Sequence, residues 1–74
     1  MRLQRLRDLR EDRDLTQTDV AQILHINQRT YSGYEIGIRN IPVQALIALA
    51  QYYNTSIDYI VGLTDEQAPY QRSK

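Results

Sequence analysis

The spacing of the apolar residues constrains the fold of this chain more than any other feature of its sequence. Leu3, Leu6 and Leu9 recur at three-residue steps near the N-terminus, and apolar residues recur at three- and four-residue steps over 43–53. This is the periodicity of an α-helix that buries one face. The sequence therefore predicts an all-α fold without a β-sheet.

Capping residues indicate where the helices begin and end. Thr16, Asn27 and Ser56 each precede an apolar-periodic segment and have the side chains preferred at N-caps. Gly37 and Gly62 follow such segments, where a left-handed glycine commonly ends a helix. We predict five helices, at about residues 2–12, 17–24, 28–36, 42–53 and 56–62.

The size and composition of the chain exclude several classes of function. Its 74 residues allow one domain, predicted to span 1–64, with 65–74 as a loose polar tail. There is no cysteine and His25 is the single histidine, so neither a disulfide nor a Cys- or His-rich metal site is expected. No serine has a histidine and an orienting acid near it, so we expect no enzymatic activity and no cofactor. The sequence contains no apolar run of membrane-spanning length and no signal-peptide pattern, and we expect a cytoplasmic protein.

The charge balance does not by itself favour a nucleic-acid partner. Nine basic residues face nine acidic ones, and the net charge is zero. Eight of the nine basic residues are arginine, however, and arginine has the geometry that best fits phosphate and guanine. The N-terminal arginines alternate with acidic residues, which favours ion pairs within a solvated helix over a phosphate-binding face.

The segment 17–37 carries the functional prediction. Two short helices joined by two or three residues cross at a steep angle, and the small Ala21 lets them approach closely. On a helical wheel of the later of these two helices, 28–36, Tyr31 and Tyr34 face inward, where core packing is favoured over base stacking. The outward face carries Gln28, Arg29, Ser32, Gly33 and Ile36. Because glutamine pairs with adenine and arginine with guanine, this face suits the DNA major groove.

These residues resemble a known family of DNA-binding proteins. The pattern T-Q-x-x-V-A-x-x-L-x-I-N-x-x-T-Y-x-x-Y-E-x-G-x-R-N over 16–40 is similar to the helix-turn-helix of Cro/CI-type phage repressors, also called XRE-type regulators. The patterns L-I-x-L-A over 46–50 and S-I-D-Y-I-x-G-L over 56–63 resemble their later helices. The resemblance covers about residues 2–64 and implies a compact five-helix bundle of the lambda-repressor-like DNA-binding type.

The resemblance also implies roles for individual residues. Base readout falls to Gln28, Arg29, Ser32 and Gly33. Contacts with the DNA backbone fall to Gln17, Thr18, Asn27, Thr30, Arg39 and Asn40. Support of the recognition helix falls to an Arg10–Glu35 salt bridge and to Ala21, Tyr31 and Tyr34. Gln17 is further expected to cap the second helix, and no residue is expected to bind a metal.

The function that the resemblance implies is sequence-specific binding of double-stranded DNA by a prokaryotic or phage transcriptional repressor. Members usually bind a near-palindromic operator as a homodimer, formed either in solution or only on DNA, and no membrane partner is expected. Apolar candidates for the dimer contact are Tyr52, Tyr53, Tyr59, Val61 and Leu63. The alternative is a protein-interaction module on the same fold, such as an antitoxin.

Two positions depart from the family pattern. His25 stands where the turn usually has glycine, and histidine is among the better non-glycine residues at positive φ. Gly33 stands where a long polar base reader is common. We therefore expect readout to depend mainly on Gln28 and Arg29.

Overall fold

The computed structural model describes residues 3–68, which form five α-helices and no β-strand. The prediction of an all-α fold is confirmed, and the described chain is compact, with a radius of gyration of 11.9 Å. The helices are α1 (Gln4–Asp12), α2 (Gln17–Ile23), α3 (Gln28–Ile36), α4 (Val43–Tyr52) and α5 (Ile57–Val61). Each begins and ends within two residues of its predicted bounds, apart from residue 2, which lies outside the described residues.

The predicted N-caps are formed by the side chains expected. Thr16 and Asp19 make a reciprocal capping box at α2, with Thr16 Oγ1 accepting from the Asp19 amide at 3.0 Å. Asn27 Oδ1 accepts from the amide of Thr30 at 2.8 Å, and the Ser56 side chain caps α5. Gln17 is the first residue of α2 and not its cap, because Thr16 already occupies that position.

Three helices end in the same Schellman arrangement at a non-glycine residue. Asp14, His25 and Asn54 have φ values of 56°, 58° and 53° after α1, α2 and α4. After α2, for example, the His25 amide donates to Gln22 O and the Ile26 amide to Ala21 O. The left-handed conformation predicted for His25 is confirmed, and the tight turn that it forms sets the angle between α2 and α3.

The core lies between α1, the turn of α2 and α3, and the inner faces of α4 and α5. It is formed mainly by Leu3, Leu6, Leu9, Val20, Ala21, Tyr31, Tyr34, Leu46, Leu49, Ala50, Tyr53 and Ile60. The inward orientation predicted for both tyrosines of α3 is confirmed. The buried face of α4 is narrower than its apolar composition suggested, because Val43 and Ile47 are exposed.

Part of the predicted C-terminal tail is held against the bundle. Arg5 donates to the carbonyls of Tyr59 and Thr64, and its Nη2 lies 2.6 Å from Asp65 Oδ1. The buried Thr55 hydroxyl donates to Gln67 O. Asp65 and Gln67 of the predicted tail thus have contacts with the bundle although both are exposed, and the part of the tail over 69–74 lies outside the described residues.

Candidate nucleic-acid interface

The candidate interface is the outer face of α3 together with the start of α2 and the loop that follows α3. Gln28 and Arg29, in the first turn of α3, are exposed, and Ser32 is half-buried. Thr18 and Asn27 are exposed beside the N-termini of α2 and α3, and Thr30 is half-buried. Most of the predicted contact residues are thus exposed or half-buried, and the contacts of Gln28 with Gln17 and of Arg39 with Gly33 bring parts of α2, α3 and the following loop together.

A buried carboxylate fixes α3 from below. Glu35 is 4% exposed, and its Oε2 accepts from Arg10 Nε at 2.8 Å. Arg10 Nη2 donates to Glu35 Oε1 at 3.2 Å, so the pair is bidentate, and Arg10 Nη1 donates to Leu15 O at 2.9 Å. The salt bridge implied by the family resemblance is present, and it joins α1 to the recognition helix.

A series of side-chain hydrogen bonds leads from the Glu35 carboxylate to the surface. Gln17 Nε2 donates to Glu35 Oε1 at 3.3 Å, and Gln28 Nε2 donates to Gln17 Oε1 at 2.6 Å. The sequence did not predict this contact between the two glutamines. It orients the Gln28 amide from one side, so that the side chain loses less freedom on meeting a partner.

Charges around Glu35 keep it ionised. Burial alone raises the pKa of its carboxyl, but hydrogen bonds and charge from Arg10 outweigh burial, and the pKa lies below its ordinary value. Its hydrogen bond with Glu35 is the main cause that raises the pKa of Arg10. Burial, followed by the nearby Glu35 carboxylate, raises the pKa of Tyr31. Both members of the Arg10–Glu35 pair beneath α3 are therefore charged at neutral pH.

The helical wheel placed Gly33 on the outer face of α3, but the residue is not open to solvent there. It is buried, because the side chain of Arg39 crosses it. A Cβ atom on residue 33 would lie 2.8 Å from Arg39 Cδ and 2.9 Å from Cγ. Gly33 itself therefore offers no free surface to a base, and the position is covered by Arg39. Arg39 and Asn40 are both exposed.

The arginines divide into those bound within the chain and those that are not. Among residues 3–68, Arg5 is bound to Asp65, Arg7 to Glu11 and Arg10 to Glu35. Arg13 Nη2 donates to Tyr53 O at 3.0 Å, and its guanidinium lies over the Tyr53 ring. Arg29 and Arg39 are the two described arginines whose side chains form no hydrogen bond or ion pair in this part of the chain.

The residues predicted for the dimer contact differ widely in how exposed they are. Tyr53 is 1% exposed and belongs to the core. Tyr59 is half-buried, and Arg5 Cζ lies 4.3 Å from the centroid of its ring. Tyr52 and Leu63 are exposed, and Leu63 is 77% exposed. Ile38 and Val43 are exposed apolar residues that the prediction did not include. Tyr53 is therefore removed from the candidate dimer contact.

The fold and the interface define a helix-turn-helix domain. The helix-turn-helix family model matches residues 6–60, and the chain belongs to this family, of the XRE type, as its sequence resemblance indicated. No helix among residues 3–68 is long and apolar enough to cross a bilayer.

The chain is similar to transcriptional regulators and to an antitoxin. It is 42% identical over 69 residues to the uncharacterized HTH-type transcriptional regulator YobD of Bacillus subtilis, covering 93% of this chain and 62% of that protein. It is 35% identical over 58 residues to the cryptic phage CTXphi transcriptional repressor RstR of Vibrio cholerae, covering 78% of this chain and 52% of the repressor. It is 33% identical over 57 residues to the antitoxin PezA of Streptococcus pneumoniae, covering 77% and 36%.

The chain thus spans less than two thirds of the length of these curated relatives. No solved structure is a significant match to it.

Proposed function

We propose that this protein is a sequence-specific DNA-binding transcriptional regulator, acting as a repressor, that reads the major groove of double-stranded DNA with α3. The observation that carries this proposal is the distribution of arginine contacts. Within residues 3–68, Arg29 and Arg39 are the two arginines whose side chains have no internal partner, and they lie in the first turn of α3 and three residues beyond its end. Positive charge is therefore available where the helix-turn-helix fold presents its recognition surface.

Readout of bases is assigned to the exposed first turns of α3. Arg29 has the forked guanidinium that pairs with guanine O6 and N7, and the Gln28 amide has the donor and acceptor that pair with adenine N6 and N7. Gln28 is oriented for this by its 2.6 Å hydrogen bond to Gln17. Ser32, one turn after both, supplies a hydroxyl that pairs with either type of base edge.

Contacts with the DNA backbone are assigned to residues around this face, which set the register of the helix on the duplex. Thr18 and Asn27 lie at the N-terminal ends of α2 and α3, where backbone amides also favour a phosphate. The remaining contributors are Gln17, Thr30, Arg39 and Asn40. Because all but one of these are uncharged, we expect a shallow dependence of affinity on salt.

The oligomer that we propose on DNA is a twofold homodimer on a near-palindromic operator, in the cytoplasm. Two recognition helices would then occupy successive major grooves about 34 Å apart. The exposed Leu63, Tyr52, Ile38 and Val43 are apolar surface available for the contact. Sedimentation at micromolar concentration, with and without the operator, measures whether pairing precedes or accompanies DNA binding.

Selection of bound duplexes from a random pool tests the proposal directly. We expect an enriched site with twofold symmetry, and Arg29→Ala to weaken binding to that site by about 1–3 kcal/mol and to relax preference at one base pair of each half-site. With two unpaired arginines per subunit among residues 3–68, the slope of log affinity against log salt should be no steeper than about −4 for a dimer.

Arg13→Ala is the matched control, because its guanidinium is already bound to Tyr53 O. We expect this variant to retain the affinity of the wild type once the folded fraction is measured by circular dichroism. The proposal fails if no duplex is enriched, or if Arg29→Ala binds the enriched site as tightly as the wild type.

A second candidate function is that of an antitoxin-type protein-interaction module. Two observations favour it. The antitoxin PezA is 33% identical over 57 residues, which are 77% of this chain, and the net charge of the chain is zero. Weak DNA binding without saturation, combined with a tight one-to-one complex with a protein, would favour this candidate over the first.

A further inference from the structure

The glycine in the middle of α3 is explained by space and not by backbone conformation. Gly33 lies within the helix, and its φ is not positive. A glycine at such a position costs roughly 1 kcal/mol of helix propensity relative to alanine. The structure shows what requires it: a Cβ here would meet Cδ, Cγ and Cβ of Arg39 at 2.8, 2.9 and 3.3 Å.

The backbone also holds Arg39 at this position. Gly37 ends α3 in the left-handed conformation, with φ of 86°, and the chain turns back along the helix. Gly33 O then accepts from the amides of both Gly37, at 3.0 Å, and Arg39, at 3.2 Å. Arg39 is therefore hydrogen-bonded to Gly33 through its own amide, and its aliphatic carbons occupy the space that a Cβ on the glycine would need.

We propose that Arg39 takes the place of a side chain at residue 33 and reads a base edge with its guanidinium. The carbons Cγ and Cδ of Arg39 lie within 3 Å of the position that a Cβ on residue 33 would take. The guanidinium begins at Nε, which is bonded to Cδ, so it starts close to the position from which a long side chain at residue 33 would extend. Gly33 is then a positioning residue, and it acts through Arg39.

The surroundings of Arg39 favour readout over simple neutralisation of phosphate. Residue 33 is one helical turn after Arg29, on the edge of the face that also carries Ser32. The Arg39 side chain is exposed and forms no hydrogen bond or ion pair among residues 3–68, so its forked donors are free for guanine O6 and N7. Because its carbons are held against α3, the side chain loses less freedom on binding. This inference rests on the proposed function, but it moves Arg39 from the backbone contacts proposed above to the readout, as a second arginine beside Arg29.

The test is a double-mutant cycle on the duplex selected by the wild-type protein, using Gly33→Ala, Arg39→Ala and the double variant. We expect Arg39→Ala to weaken binding by about 10- to 100-fold and to relax preference at one base pair. Gly33→Ala should relax preference at the same base pair, because the added methyl displaces the Arg39 side chain. The double variant should bind no more weakly than Arg39→Ala alone.

Two further measurements separate readout from a loss of structure or of charge. The melting temperature of Gly33→Ala should equal or exceed that of the wild type, because the displaced side chain is exposed and alanine favours the helix. Arg39→Lys keeps the charge but not the fork, so it should keep the salt dependence of the wild type and lose the base preference.

Several results would overturn the inference. One is tight binding by Gly33→Ala with the wild-type base preference. Another is a loss in Arg39→Ala that is equal for all sequences, which would make Arg39 a phosphate contact only. A third is a cycle in which the two losses add. If Arg29→Ala still relaxes its own base pair in these cases, the proposed function stands and this inference alone fails. If no duplex is selected at all, both fail.

Discussion

Replacing Arg10 by methionine tests how much the recognition helix depends on the buried ion pair beneath it. The change removes two hydrogen bonds to the Glu35 carboxylate and one to Leu15 O. Glu35 is 4% exposed and the Arg10 side chain 12%, so little water reaches the carboxylate that is left. Removing one partner of a buried pair costs about 3–5 kcal/mol, and we expect about 3 because Gln17 still donates to Glu35. This is a large share of the roughly 4–11 kcal/mol expected for a domain of this size.

The assay is urea denaturation followed by far-ultraviolet circular dichroism, and α1 itself provides the control. Arg7 pairs with Glu11 at 3.1 Å, but both side chains are more than half exposed. Arg7→Met should therefore change the free energy of unfolding by no more than about 0.5 kcal/mol. The double variant Arg10→Met/Glu35→Gln should be no less stable than Arg10→Met, because the second change removes the unpaired charge.

The pH dependence of this difference has a defined sign. Arg10 lowers the pKa of Glu35 below its ordinary value, so the stabilisation is present above that value and is lost as the pH falls through the folded pKa. In Arg10→Met, the lowering by Arg10 is lost while burial still raises the pKa of Glu35, so the carboxyl protonates more easily than in the wild type. The difference between wild type and variant should therefore shrink in acid. A cost below about 1 kcal/mol at pH 7, or a difference that grows in acid, would refute the reasoning.

Two other predictions concern the core and the turn. Burial raises the pKa of Tyr53 to about 12, so the free energy of unfolding should fall as the pH rises above 10. Tyr53→Phe removes this buried hydroxyl, which has no partner among residues 3–68. The variant should therefore show a smaller fall. Identical alkaline unfolding of the two proteins would contradict this. Because His25 has φ of 58°, His25→Gly should raise the free energy of unfolding by up to about 1 kcal/mol, whereas Asn54→Gly should gain less, since asparagine tolerates this conformation better. Equal gains at both positions, measured by urea denaturation, would show that strain at His25 is not the cause.

The local features of this fold were predictable because they depend on residues close in sequence. Thr16, Asn27 and Ser56 each bind an amide three residues further on, and Gly37 and Gly62 end the helices that precede them. Helix position and the inward faces of α1 and α3 follow from the same short-range periodicity. The Arg10–Glu35 pair spans 25 residues and was found through family resemblance, not through spacing.

The features that the sequence did not predict are those that join distant residues or depend on the path of a loop. Arg5 binds Asp65 across 60 positions, which no periodicity reveals, and so the C-terminal segment was expected to be loose. The wheel gave Gly33 an outward direction correctly, but it could not show that the loop returns Arg39 across that position. A glycine inside a helix, followed six residues later by an arginine beyond a left-handed turn, is the signal to look for in such chains.

The internal use of arginine has a consequence for how the protein would search a chromosome. Among the six arginines in residues 3–68, Arg5, Arg10 and Arg13 join different parts of the bundle, and Arg7 pairs with Glu11 within α1. With two unpaired arginines among residues 3–68, this domain would bind random DNA weakly, so it would leave non-operator sequences quickly and move between sites mainly by dissociation and rebinding. Its discrimination would then depend on a few well-placed hydrogen bonds, and a cell would need more copies of it to keep an operator filled.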